Sequence, residues 1–157
     1  MAGHLDWVLL AYRLPREPST PRITVWRKLK RLGVAQLVDG LVALPLDART
    51  KEQFEWLGDE IVEAGGEATI WTARLSSVRQ ERELAERMAD AVAAEYRAVA
   101  DAAAEVAGAP ASTRRRTLAR LRRALRRVGQ RDYFPPPERE TARAAVDAWA
   151  DLVETDA

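Results

Sequence analysis

Hydrophobic and polar positions along the chain change their pattern near residue 76. Before it, short apolar runs alternate with stretches of helical period; after it, every stretch reads helical. Trp7-Val8-Leu9-Leu10-Ala11-Tyr12 is a continuous run with β-branched and aromatic content, the signature of a strand apolar on both faces. Ser19-Thr20-Pro21 then reads as an N-cap followed by proline at the first helical position. The helix it opens places Val25, Trp26, Leu29 and Leu32 inward and stops at Gly33. Val34 to Val38 and Leu41 to Leu46 read as two short strands joined by the hairpin signal Asp39-Gly40, with Pro45 near the end of the second. A helix from about Thr50 to Ala64 carries Phe54, Leu57 and Ile61 on one face and meets the stop Gly65-Gly66. Glu67 to Leu75, with Ile70, Trp71 and Leu75, is the last strand.

This order, β-α-β-β-α-β, is the split βαβ or ferredoxin-like unit, a four-stranded antiparallel sheet with both helices on one face. The first and last strands are apolar on both sides, so the sheet needs cover on its second face. Either the C-terminal helices fold over it or a second subunit does. Those helices follow directly. Val78 to Val106 carries Leu84, Met88, Val92, Tyr96, Val99, Ala103 and Val106 at helical spacing. After Gly108-Ala109-Pro110, Ser112 or Thr113 caps a helix with Leu118, Leu121, Leu125 and Val128 on its core face. Asp132-Tyr133-Phe134 and three prolines break it, and a last helix carries Ala142, Ala145, Val146, Trp149 and Leu152. The fold class is therefore α+β: a ferredoxin-like half over residues 6–76 followed by a three-helix half over 77–155 that packs onto it, in a single domain of residues 1–157.

Composition narrows the function classes. A chain of 157 residues with 47% hydrophobic and 31% charged residues buries a core without help from disulfides or metal. Cysteine is absent, which removes thiolate ligands and a cysteine nucleophile. No apolar run approaches the ~20 residues that span a bilayer, and the N-terminus lacks the basic start and cleavage site of a signal peptide. The expectation is a cytoplasmic protein with no membrane partner. The net charge of +1 hides segregation: Thr113 to Arg131 carries nine arginines and no acid, while Glu81–Glu105 and Glu138–Asp156 are acid-rich.

The segment from Trp7 through Arg13-Leu14-Pro15-Arg16-Glu17-Pro18-Ser19-Thr20-Pro21-Arg22, with Val25-Trp26-Arg27-Lys28-Leu29-Lys30-Arg31-Leu32-Gly33 and Asp39-Gly40…Leu44-Pro45, resembles the N-terminal domain of the chromate resistance protein ChrB family. The resemblance is clearest over residues 7–75; the arginine-rich helix and the Asp132-Tyr133-Phe134 turn fit it more loosely. More distantly, the strand-hairpin frame is similar to the C-terminal domain of PaaX-type repressors and to the small CRISPR-adaptation nucleases. The ChrB resemblance implies a chromate-responsive regulator or accessory protein of a chromate efflux operon. Longer members carry a second, C-terminal domain beyond the region matched here.

Two stretches hold candidate chemistry. At the turn before the first helix, Arg13, Arg16 and Arg22 surround a helix N-terminus with the Ser19 and Thr20 hydroxyls, an arrangement suited to a tetrahedral anion such as chromate, sulfate or a phosphate. The competing reading is a well-capped helix whose arginines are solvated or pair with Glu17. In the helix after Ser112, a leucine stripe fixes one face, so Arg114, Arg115, Arg116, Arg120, Arg122, Arg123, Arg126 and Arg127 spread over the remainder as a phosphate-tracking surface requires. The alternative is that these arginines pair with Glu81, Glu83, Glu86, Asp90 and Glu95. No helix-turn-helix spacing stands out.

Enzyme readings find little support. Where the resemblance to the adaptation nucleases places a metal-binding aspartate at the end of the first strand, this chain has Arg13, and a cation there repels a metal. His4, the one histidine, sits in a terminal segment; Ser76-Ser77 reads as a helix cap; no metal site, glycine-rich phosphate loop, flavin or other cofactor footprint appears. Trp26, Trp56, Trp71 and Trp149 should mostly be core, with Trp56, off its helix stripe, a candidate for an interface. The expected function is a non-enzymatic, chromate-resistance-associated regulator that binds DNA, chromate or another oxyanion, and works as a homodimer. The alternative is a protein-interaction scaffold without the family's C-terminal domain, and a nuclease comes third.

Overall fold

A computed structural model describes residues 4–155, with side chains to Leu152; residues 1–3 and 156–157, the two ends of the expected single domain, lie outside the described residues. Nine elements follow one another: β1 (Trp7–Arg13), α1 (Thr20–Leu32), β2 (Ala35–Val38), β3 (Leu41–Pro45), α2 (Ala48–Glu63), β4 (Glu67–Ala73), α3 (Val78–Glu105), α4 (Ala111–Gln130) and α5 (Glu138–Thr155). The chain divides into two compact units, one through Ala85 and one from Glu86, with the boundary inside α3.

The first unit is the mixed one. Its sheet runs β2-β3-β1-β4 with every neighbouring pair antiparallel, the split-βαβ order expected from the apolar pattern. β1 is central because it is apolar on both faces: Trp7, Val8 and Leu10 are buried in it. Val8 and Leu10 share a face with Val42, Leu44 and Ile70 across the strands, as the pairing register dictates. Helix α2 packs on β1 and β4, and α1 lies against α2. Phe54, Leu57 and Ile61 go under α2, and Val25 and Leu29 under α1. Each such burial is worth about 1.5–3 kcal/mol.

Local signals set the boundaries. α2 begins at Asp47, whose carboxylate accepts from the Thr50 backbone N–H at 2.7 Å, while the Thr50 hydroxyl accepts from the Asp47 N–H at 3.0 Å. This reciprocal box satisfies two of the donors every helix start leaves open, and it moves the start two residues ahead of Thr50. Ser77 caps α3, its hydroxyl accepting from the Gln80 N–H at 3.2 Å, as expected. α4 departs from expectation: Pro110 occupies its cap position without a side-chain bond, and Ser112 and Thr113 lie inside the helix. Proline's preset φ suits a helix start even though it offers no capping oxygen.

The second unit is a three-helix assembly. Val92, Tyr96, Val99 and Ala103 of α3, Leu118, Leu121 and Val128 of α4, and Ala142, Val146 and Ala150 of α5 form one buried cluster. Trp149 packs against it, but Leu152 is exposed, because the apolar stripe of α5 ends at Ala150. The tryptophans also depart from expectation. Trp7 is buried, whereas Trp26, Trp56 and Trp71 are 53%, 58% and 59% exposed. Trp26 lies beside the Val25–Leu29 stripe of α1, about a quarter turn round, and so misses the core.

Candidate functional site

The end of β1 is held from both sides by glycine. On one side the Tyr12 N–H donates to the Gly40 carbonyl at 2.8 Å, and Gly40, at φ +76°, leaves no room for a Cβ, which would lie 2.5 Å from the Tyr12 carbonyl oxygen. On the other, a Cβ on Gly66 would overlap the Arg13 carbonyl oxygen. These two approaches fix where the β1–α1 turn leaves the sheet and where the β2–β3 hairpin meets it.

Between them opens a cavity of about 660 Å³. Tyr12, Arg13 and Leu14 line it from the end of β1; Ser19, Arg22, Ile23 and Trp26 from the first half of α1; Gln36, Asp39 and Gly40 from the hairpin. Of the anion-site residues named from the sequence, Arg13, Ser19 and Arg22 thus line the same cavity, while Arg16 and Thr20 are exposed at the turn and do not line it. Ser19 stands at the N-cap of α1, but its hydroxyl caps nothing: the backbone there is helical, and only its carbonyl is used, by the Ile23 N–H at 3.2 Å. Arg13 holds an exposed ion pair with Glu67 at 3.0 Å, a partner supplied by the adjacent β4 in register. Glu17, the partner weighed in the sequence, makes no such pair among the described residues.

The cavity's electrostatics are mixed. Burial pushes the Tyr12 phenol above its ordinary pKa; the Arg22 guanidinium works against that rise and the Asp39 carboxylate adds to it. Lys30 places its ammonium 4.4 Å from the centre of the Trp26 ring. The apolar period of α1 predicts Trp26 in the core, and the structure instead places it in the cavity wall. The signal was the series Ser19, Ile23, Trp26, spaced by four and three, which forms a second helix face.

The other candidate lies in the second unit. Arg115, Arg116, Arg120, Arg122, Arg123, Arg126 and Arg127 are all exposed on α4. At about 100° per residue they occupy an arc of roughly 160°, opposite Leu118, Leu121 and Val128. None of the seven makes an ion pair among the described residues. Arg114, at the first turn, is half-buried and stands apart from them. The expected pairing with α3 acids is realised at one place, beyond the stripe: Arg131, at the C-cap of α4, binds both carboxylate oxygens of Glu95. That pair raises the Arg131 pKa further.

Below this helix sits a buried polar group. The Tyr96 hydroxyl donates to Asp132 Oδ2 at 2.7 Å, and Arg139 lies 4.0 Å from the same oxygen. Burial first, and then this bond, push the Tyr96 phenol up to about 12. The Asp132-Tyr133-Phe134 turn is thereby tied to α3 and α5.

With the geometry in hand, comparison with known proteins decides the family: the model for the N-terminal region of Protein ChrB matches residues 22–156. The chain belongs to the ChrB N-terminal family. The match reaches through the helical half, so the arginine stripe and the Asp132 turn lie inside the ChrB region and not at its margin. Protein ChrB of Cupriavidus metallidurans is 30% identical over 160 residues, covering 93% of this chain. The chain spans 45% of that relative's length. Among solved structures, protein Rv0674 of Mycobacterium tuberculosis has the same fold at a TM-score of 0.59 and 18% identity, over 99% of this chain and 63% of its own. No described helix is long and apolar enough to cross a membrane.

Proposed function

We propose that this chain is a non-enzymatic regulatory module of chromate resistance that binds DNA through α4 and an oxyanion at the β1–α1 turn. The observation that carries the DNA reading is the set of seven exposed arginines that make no ion pair among the described residues. A guanidinium already paired with a carboxylate gains little from a phosphate; an unpaired one displaces condensed counterions from the duplex. From Arg115 to Arg127 the stripe runs about 18 Å along the helix, the rise of roughly five base pairs along a strand. Family membership supports the link to chromate, and the Ser19 and Arg22 corner, with Arg16 and Thr20 exposed at the turn and Arg13 held by Glu67, supplies a fork and a hydroxyl suited to an XO₄ dianion.

A homodimer belongs to the same reading. The exposed Trp56 indole on α2 is the kind of surface a second copy covers, whereas Trp71 lies on the opposite face of the sheet. The cytoplasm is the compartment in which such a module meets both DNA and chromate.

The test is fluorescence anisotropy on a duplex from upstream of the protein's own gene against a scrambled duplex, with chromate or sulfate added. The expected result is salt-sensitive binding that prefers the native duplex and is released by chromate but not by sulfate. Binding that ignores salt and both anions would reject the reading and leave a protein-interaction module.

A further inference from the structure

The cavity at the end of β1 is larger and more aromatic than an oxyanion needs. An XO₄ anion presents four oxygens and fills at most about four water volumes, ~120 Å³. The cavity is about 660 Å³, within the range of sites for organic ligands. Most of its remaining wall is apolar or aromatic: the Trp26 indole, the Tyr12 ring, Ile23 and Leu14. Ile23 and Leu14 give nothing to a bare dianion, and the faces of the two aromatic rings exceed what one needs.

The indole is also held for use. The Lys30 ammonium sits over its ring at 4.4 Å and steadies it. Trp26 lines the cavity and Lys30 does not. Polar groups of both kinds complete the site. Arg22 and the uncommitted Ser19 hydroxyl offer donors for a phosphate, and the Asp39 carboxylate beside Gln36 offers an acceptor for an amino or imino N–H. A cation with no ion pair among the described residues, a flat aromatic surface and an acceptor within one cavity match one ligand class: a planar base carrying a phosphate.

We infer that this cavity binds a nucleotide, with its base against Trp26 and its phosphate in the Ser19–Arg22 corner. The inference rests on the oxyanion reading of that corner and adds the base. Stacking on an aromatic side chain strengthens binding of a nucleotide by roughly five- to hundredfold over its phosphate alone.

The experiment is isothermal titration of the full chain with AMP, GMP, adenosine and inorganic phosphate. Arg22→Ala, Trp26→Ala and Trp26→Phe variants run beside it. AMP or GMP is expected to bind at least about fivefold more tightly than phosphate. Trp26→Ala should erase that margin while leaving phosphate binding in place, Trp26→Phe should keep most of it, and Arg22→Ala should weaken phosphate and nucleotide together. A 5′-phosphorylated single-stranded oligonucleotide in parallel distinguishes a free nucleotide from the end of a strand as the source. Phosphate bound as tightly as AMP would overturn the nucleotide site and leave the oxyanion reading standing. Binding of neither would overturn both.

Discussion

The Tyr12 N–H donates to the Gly40 carbonyl at 2.8 Å, and the Tyr12 carbonyl closes over the position where any other residue at 40 would carry its Cβ. This one pair of residues clamps the hairpin onto the end of β1 and so sets the width of the cavity beside it. Gly40 is the turn's one left-handed position; Asp39 is not left-handed, and the register of β2 slips between Gln36 and Val38. Alanine at 40 is strained twice, by its φ and by a backbone oxygen that cannot swing away. Gly40→Ala should cost about 2–3 kcal/mol in urea unfolding. It should also weaken oxyanion binding at the adjacent corner.

The arginine face of α4 makes a prediction about salt. If these side chains track phosphates, each removal lowers the slope of log K against log salt by about one. Arg122→Ala with Arg126→Ala should therefore reduce the slope by about two and weaken specific and scrambled duplexes alike. Both side chains are exposed and without ion pairs, so stability should stay within about 0.5 kcal/mol for each. An unchanged slope would place the DNA contact elsewhere.

The order of elements was legible in the sequence because strands and helices impose different periods, and β1 to β4 and α1 to α5 each carry one. What escaped were features set by tertiary geometry. Trp26 falls at the edge of the α1 stripe, and a periodic pattern cannot say that the sheet stops short of it. Ser112 and Thr113 are better capping residues than Pro110, yet the chain enters α4 one turn earlier. For the site, Arg13, Ser19 and Arg22 were legible as a local cluster, being close in sequence. Gln36 and Asp39 were not, because it is the pairing of β3 with β1, continued by the Tyr12–Gly40 contact, that brings the hairpin to them. The arginines on α4 could be counted from the sequence, but whether acids face them depends on rotations between helices.

Arg131 and Arg126 lie five residues apart and should behave as opposites. Arg131 is one-fifth exposed and binds both oxygens of Glu95, holding the end of α4 to α3. Removing it strips a half-buried carboxylate of its charge-assisted bonds, worth about 1.5–3 kcal/mol. Arg131→Ala should lower the unfolding midpoint and leave the DNA salt slope nearly intact. Arg126→Ala should do the reverse. Measuring both quantities on both variants separates an arginine that builds the fold from one that serves it.

Tyr96 gives the second unit an alkaline signature. Its phenol is pushed up to about 12 by burial and by the bond to Asp132, against about 10 in the unfolded chain. The folded state therefore keeps a proton that the unfolded state gives up between those values. The stabilisation is complete below pH 10 and is lost as pH rises from 10 toward 12. Tyr96→Phe removes both the titration and the hydrogen bond, leaving Asp132 Oδ2 without its donor at a cost of about 1.5–3 kcal/mol. At pH 8 the variant should unfold at clearly lower denaturant than the parent. The gap should narrow steadily above pH 10, because only the parent loses this contribution there. Denaturant unfolding by circular dichroism at pH 8, 10 and 11 reads both effects, and a gap that stays constant across the series would mean that the Tyr96 phenol titrates normally in the folded chain.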